Sequence, residues 1–282
     1  MAKNKAAIIY DFDKTLCPKD MQEYSFIPRI GMEADEFWKL ANGLASAEHM
    51  DGILACMYMM VRESRAARQP LNRESFVSLG KAIDLYPGVE NWFSRMNEFA
   101  EENDLILEHY IISSGLKEII EGCSIYPEIK EVYACEFHYD ENGVADWPKN
   151  SVNYTGKTQY IFRINKGILD LSKNAELNKY VPKEERPIPF RNMIYIGDGF
   201  TDVPCMKLVR EYGGTSIAVY PDQPGKTAIE LINDGRVDFA MKADYRSGSR
   251  LDKTVKDILR KISITNKLEN LHRKQLKDMD VD

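Results

Sequence analysis

Asp11 and Asp13, two positions apart in the stretch Asp11-Phe12-Asp13-Lys14-Thr15, are the residues of this 282-residue sequence best suited to chemistry. They directly follow residues 6–10 (AAIIY), a continuous apolar run of the kind that forms a parallel strand buried on both faces. Open α/β sheets bind ligands at the carboxyl ends of such strands, so both carboxylates are expected to face a cleft. On an extended segment, residues two apart project to the same side. One carboxylate can then attack while the other gives or takes a proton. Their paired charge calls for a cation, and an oxygen-only site of this kind suits Mg²⁺. On its own, the string is equally compatible with a surface turn between a strand and a helix.

Two further motifs repeat the pattern. Gly197-Asp198-Gly199-Phe200-Thr201-Asp202 follows the apolar run 193–196 (MIYI). Asp198 is expected to be the second metal carboxylate, with Asp202 supporting it and the glycines letting the backbone turn sharply near a ligand. Ser113-Ser114-Gly115 follows the strand 105–112, where a hydroxyl and backbone N–H groups at the start of a helix would form a phosphate-binding corner. A lysine should neutralise the charge gathered there, and Lys157 and Lys166 are the two candidates. Thr155 reads as an N-cap, which puts Lys157 in the first helical turn near the strand ends. Lys166 would sit about 13 Å further along the helix, just before the helix-stopping Gly167. Lys157 is therefore the expected partner.

The elements that must position these residues can be read from hydrophobic period. Apolar runs at 6–10, 105–112, 193–196 and 216–219 alternate with helical patterns such as 89–99. That alternation predicts βαβ units and a doubly wound, Rossmann-like parallel sheet. Residues 18–85 do not fit it and read as consecutive helices, including 35–44, a Met-rich segment at 49–61, and 72–83. They are expected to form an inserted helical cap domain, with residues 1–17 and 86–282 as the core and Pro87-Gly88 marking re-entry. Residues 131–153 read as a β excursion, EVYACEFHY turning at Asp140-Glu141-Asn142-Gly143 and returning through SVNY. From Leu251 onward the chain reads as a charged amphipathic helix whose last residues look disordered.

Composition narrows the class. Hydrophobic residues make up 44% and charged residues 29%, with a formal net charge of −6. A mild acidic excess argues against a nucleic-acid footprint, and Trp38, Trp92 and Trp147 are not interleaved with basic residues. Five cysteines without a CxxC unit suggest free thiols in a reducing compartment. His49, His109, His138 and His272 are scattered and are expected to be structural. With no apolar stretch of spanning length and no leader pattern at Met1, the protein is expected to be soluble and cytoplasmic, with no membrane partner. The sequence leaves the oligomeric state open.

DFDKT, the Ser113 corner, Lys157 and GDGFTD occur in the order of the four motifs of the haloacid dehalogenase superfamily, and the chain most resembles its phosphoserine phosphatase-like members. That resemblance implies a two-step phosphoryl transfer. Asp11 would attack phosphorus to form an aspartyl-phosphate while Asp13 protonates the leaving alcohol, and Asp13 would then activate water. Mg²⁺ would be held by Asp11, the Asp13 backbone carbonyl and Asp198, with Asp202 nearby. Ser113, Ser114, Gly115 and Lys157 would hold the phosphoryl group, and Thr15 would position the loop. The dehalogenase branch lacks the second aspartate, and the ion-pumping ATPases continue with DKTGT, so the chain is expected to be a phosphatase of a small phosphorylated metabolite.

The same resemblance implies that an acidic residue shortly after the nucleophile loop holds a substrate amine. Asp20 stands at about that position with Glu23 close by, although Asp20 could equally be an N-cap. The cap arginine that would bind a substrate carboxylate is missing, because Cys56, Met57, Met59 and Met60 stand where it would be sought and Arg62 and Arg65 come later. If some of these line the cleft, the leaving group is larger or more apolar than serine. A phosphotransferase, a phosphonatase using Lys19, Lys39 or Lys81, or a non-catalytic phosphate-binding protein are the competing readings.

Overall fold

A computed structural model describes residues 4–279. The disorder expected of the last residues falls on 280–282 and lies outside the described part. The elements follow as β1 (Asn4–Tyr10), α1 (Met21–Tyr24), α2 (Phe26–Arg29), α3 (Ala34–Ala47), α4 (Gly52–Ala66), α5 (Arg73–Gly80), α6 (Trp92–Glu102), β2 (Leu105–Leu116) and α7 (Lys117–Glu121). After them come β3 (Glu131–Tyr139), β4 (Ala145–Asn150), α8 (Thr158–Lys166), α9 (Asn174–Asn178), β5 (Met193–Gly197), α10 (Val203–Glu211), β6 (Thr215–Tyr220), α11 (Lys226–Asn233), β7 (Phe239–Lys242) and α12 (Arg250–Met279).

The seven strands form one sheet in the order β4-β3-β2-β1-β5-β6-β7, and all pairs are parallel except β3–β4. This is the doubly wound, Rossmann-like architecture the alternating pattern predicts. β1 lies at its centre, and residues Ala6 to Tyr10 have no exposed surface, which is why that run carries no polar alternation. Strand order reverses at β1, since the chain adds β2 on one side and later β5 on the other. The carboxyl ends of β2, β1 and β5 are therefore neighbours at the crevice where such sheets bind ligands.

The expected run of helices is present as α1–α5, and it is tied to the sheet edge. Phe76 of α5 stacks on Phe137 of β3, with ring centroids 5.6 Å apart and planes 9° from parallel. Phe26 and Phe37 extend that aromatic cluster through α2 and α3. The backbones of α5 and α7 meet so closely that a Cβ on Gly80 would lie 2.1 Å from the Ile119 carbonyl oxygen. Ala145 N–H donates to the Leu71 carbonyl at 2.7 Å, joining the connection between α4 and α5 to β4.

Three local expectations are corrected. The β excursion returns through Ala145–Asn150 and not through SVNY, because Asp140 Oδ1 accepts from both the Asn142 and Val144 N–H groups and closes the turn at once. β4 is an edge strand, so its Pro148 need not donate to a neighbour. The second strand does not stop at Ile112 but runs through Ser113-Ser114-Gly115 to Leu116, with an irregular register between Ile112 and Leu116. Thr155 is not an N-cap, since Tyr154–Lys157 forms a 3₁₀ turn that leads into α8.

Candidate active site

Asp11 is the first residue past β1, and its N–H donates to the Ile196 carbonyl of β5 at 2.9 Å. The loop then tightens, with both the Thr15 and Leu16 N–H groups donating to the Phe12 carbonyl and Lys14 at φ 58°. That left-handed conformation is uncommon for a residue with a side chain and is held here by the loop's own hydrogen bonds.

Lys157 converges on this point from the 3₁₀ turn. Its Nζ, 1% exposed, donates to Asp11 Oδ1 at 3.0 Å and Asp202 Oδ1 at 2.8 Å. Burial alone would push the ammonium down, but the Asp11 and Asp202 carboxylates outweigh it and hold its pKa above the ordinary lysine value. Lys166 lies elsewhere: its Nζ donates to the Leu177 and Lys179 carbonyls. The structure thus brings Lys157, and not Lys166, to the aspartates.

Asp11, Asp198 and Asp202 each present a carboxylate oxygen within 4.8 Å of the others. Burial, and then the Asp202 charge, raises the Asp11 pKa to about 7 against the pull of Lys157. Burial and the Asp11 and Asp202 charges push Asp198 up to about 8. Among the described residues Asp198 has no hydrogen-bond or ion-pair partner, whereas Asp202 is engaged by Lys157, by the Tyr195 hydroxyl at 2.8 Å and by the Gly199 N–H at 3.5 Å. An all-oxygen set carrying one unpartnered, half-buried carboxylate fits a hard divalent cation such as Mg²⁺. Asp202 is the least free of the three to coordinate one.

The glycines around Asp198 serve a different purpose from the one expected. Neither Gly197 nor Gly199 has a positive φ. Gly197 is instead required for space, because a Cβ there would stand 2.5 Å from Asp202 Oδ2.

Asp13 does not join the carboxylate cluster. Its Oδ1 accepts the Met21 N–H at 2.7 Å, so Asp13 caps the first turn of α1, and burial followed by the Asp20 and Asp11 charges raises its pKa well above the usual carboxylate range. Asp20 makes no side-chain cap bond and pairs with Lys14 Nζ at 2.6 Å. The Ser113 corner is not a helix start. Ser113 Oγ accepts the Gly115 N–H at 2.9 Å within the strand, the Ser114 hydroxyl is buried without a partner, and Gly115 packs against Met21 and Asp13. Thr15 is wholly buried, its hydroxyl also unpartnered, and its carbonyl accepts from Tyr245.

A cleft of about 550 Å³ opens over this centre, and Thr15, Ser113, Gly115 and Asp202 are not part of its lining. Asp11, Asp13, Asp198, Lys157 and Ser114 line its base, while Asp20, Glu23, Trp38, Ile53, Cys56, Met57 and Met60 from the helical run line its walls. Of the four sulfur-bearing positions named from sequence, Met59 is wholly buried and absent from the lining. Lys14 and Lys157 are the lysines of the lining, and Lys19, Lys39 and Lys81 are not part of it. Sequence reading missed Lys14, Tyr195 and Gln22. A tyrosine in an otherwise apolar, doubly buried strand was the available signal for Tyr195, because its hydroxyl must find a partner.

Fold and site together define a doubly wound α/β protein with an acidic, lysine-braced centre at a sheet switch point. The haloacid dehalogenase-like hydrolase family model matches residues 8–207, and the chain belongs to that family. An uncharacterised protein of Borreliella burgdorferi is 28% identical over 276 residues, covering 88% of this chain and 94% of its own. Among solved structures, a HAD family hydrolase from Salmonella enterica serovar Typhi is 16% identical with a TM-score of 0.52. The match covers 83% of this chain and 66% of that one, so this chain spans about two thirds of its length. A phosphoserine phosphatase described as a phospho-aspartyl intermediate analogue is 17% identical with a TM-score of 0.50, covering 85% of this chain and 94% of its own. Both likenesses are of fold. Among the described residues no helix is long and apolar enough to cross a membrane.

Proposed function

We propose that this hydrolase is a Mg²⁺-dependent phosphomonoester phosphatase acting through an aspartyl-phosphate on a small phosphorylated metabolite of the cytoplasm. The observation that carries the reading is the Lys157 bridge between Asp11 and Asp202 at the floor of a cleft that also holds Asp13 and the unpartnered Asp198. The phospho-aspartyl analogue of a phosphatase with the same fold supports it.

In the first step an Asp11 oxygen attacks phosphorus, the bond from phosphorus to the alcohol oxygen breaks, and Asp13 gives that oxygen its proton. In the second, Asp13 takes a proton from water as the water oxygen attacks phosphorus and frees Asp11. Lys157 orients Asp11 and offsets charge on the phosphoryl oxygens, and Asp202 and Tyr195 fix the lysine in place. Ser113, Ser114 and Gly115 shape the phosphoryl corner, and Thr15 backs the loop. Asp11, the Asp13 carbonyl and Asp198 would hold Mg²⁺, which when bound supplies positive charge against the gathered oxygens. Residues 18–85 act as the cap over a core of residues 1–17 and 86–282.

Phosphate release from a panel of phosphomonoesters, with Mg²⁺ and with chelator, tests this reading. Metal-dependent release by the wild type that is absent in Asp11→Asn is the expected result. Undiminished release by that variant would contradict it.

A further inference from the structure

The cleft walls carry a second message, about the leaving group, which rests on the phosphatase reading. Lys14 and Lys157 are the cations of the lining, and both are already paired, Lys14 with Asp20 and Lys157 with Asp11 and Asp202. Among the described residues no arginine lines the cleft. Arg62, the nearest in sequence to the lining residues of α4, is half-exposed and paired with Glu63.

Against this stand acceptors with capacity to spare. Glu23 takes the Trp38 indole N–H on Oε1 at 3.0 Å and has no cationic partner among the described residues. Gln22 lines the cleft, is 5% exposed, and makes no hydrogen bond among the described residues. The amide faces the cleft without being sealed from it, so it offers a free donor and a free acceptor to a ligand that enters. To the same cleft α4 supplies Ile53, Cys56, Met57 and Met60, an apolar and deformable surface.

We infer that the substrate is a phosphomonoester of an amino alcohol that carries no carboxylate. The ammonium is received by Glu23 beside Gln22, and the carbon chain lies on the α4 surface. A carboxylate on the leaving group meets no unpaired cation, faces Glu23, and is rejected by like charge. The reaction balances as ester plus water to amino alcohol plus inorganic phosphate.

The test is a square of four esters: ethyl phosphate, O-phosphoethanolamine, the phosphate ester of 3-hydroxypropanoate and O-phosphoserine, which share one two-carbon frame and differ by an ammonium, a carboxylate, or both. Adding the ammonium is expected to raise kcat/KM, and adding the carboxylate to lower it by about tenfold or more, with or without the ammonium. In Glu23→Gln the ratio of O-phosphoethanolamine to ethyl phosphate should fall toward one. If ethyl phosphate is hydrolysed but O-phosphoserine equals or exceeds O-phosphoethanolamine, the substrate class is wrong and the phosphatase reading stands. An unchanged ammonium ratio in Glu23→Gln overturns the assignment of Glu23. If none of the four esters, nor p-nitrophenyl phosphate, releases phosphate with Mg²⁺, both readings fall.

Discussion

Lys157 Nζ donates to Asp11 Oδ1 across 3.0 Å, although 146 residues separate the two in the chain. β1 delivers the aspartate and the 3₁₀ turn before α8 delivers the lysine, so the contact exists only in the assembled sheet. Because Asp202 shares the same ammonium, two buried carboxylates depend on one cation.

Lys157→Ala should therefore cost about a hundredfold or more in kcat, as expected when a preorganised charge is removed from a buried site. Lys166→Ala should leave turnover near wild type and cost about 1 kcal/mol of stability through its two carbonyl bonds. Steady-state kinetics and urea unfolding of both variants check the ranking, and the reverse order would show that the wrong lysine has been placed at the site.

The two glycines flanking Asp198 should behave oppositely. An alanine at 197 pushes its Cβ into Asp202, which Lys157 and Tyr195 hold fast, and should destabilise the fold by about 1–3 kcal/mol. At position 199 a Cβ meets nothing closer than 3.9 Å, and Gly199→Ala should change stability by no more than about 0.5 kcal/mol. Equal effects on the unfolding midpoint would refute the crowding argument.

Much of this was legible in the sequence, and for physical reasons. The β1 run AAIIY sits at the centre of a parallel sheet, where burial on both faces removes polar alternation, so its pattern announced its place. Asp11 and Asp198 were found because they directly follow such runs. Ser113 was expected at a helix start and lies inside β2 instead, because its Oγ satisfies the Gly115 N–H and lets the strand continue past the apolar run, a bond no hydrophobic pattern records. β7 was missed because its four residues, FAMK, are too few to show a period. Lys14 and Gln22 gained their places only when α1 folded against the loop.

His109 gives stability a pH dependence of its own. It belongs to β2, beside β1, with Nδ1 against the Tyr10 hydroxyl and Nε2 against Asn97 Oδ1, both at 3.0 Å, and burial lowers its pKa to about 3. The unfolded histidine titrates near 6.5, so between those values the unfolded state binds the extra proton. Stability from this group is thus full above about pH 6.5 and is lost as pH falls, by about 1.4 kcal/mol between pH 7.5 and 5.5. His109→Gln should remove that share of the slope in urea titrations, and an identical slope in the variant would contradict the neutral, buried imidazole.

The most direct test of the central claim is chemical trapping of the covalent intermediate. Enzyme quenched during turnover with Mg²⁺ and a phosphomonoester, then reduced with borohydride, should carry homoserine in place of aspartate at position 11 by peptide mass spectrometry, and Asp11→Asn should show no reduced residue. Reduction at another aspartate, or none at a position occupied during steady phosphate release, would contradict the assignment of Asp11 as the nucleophile.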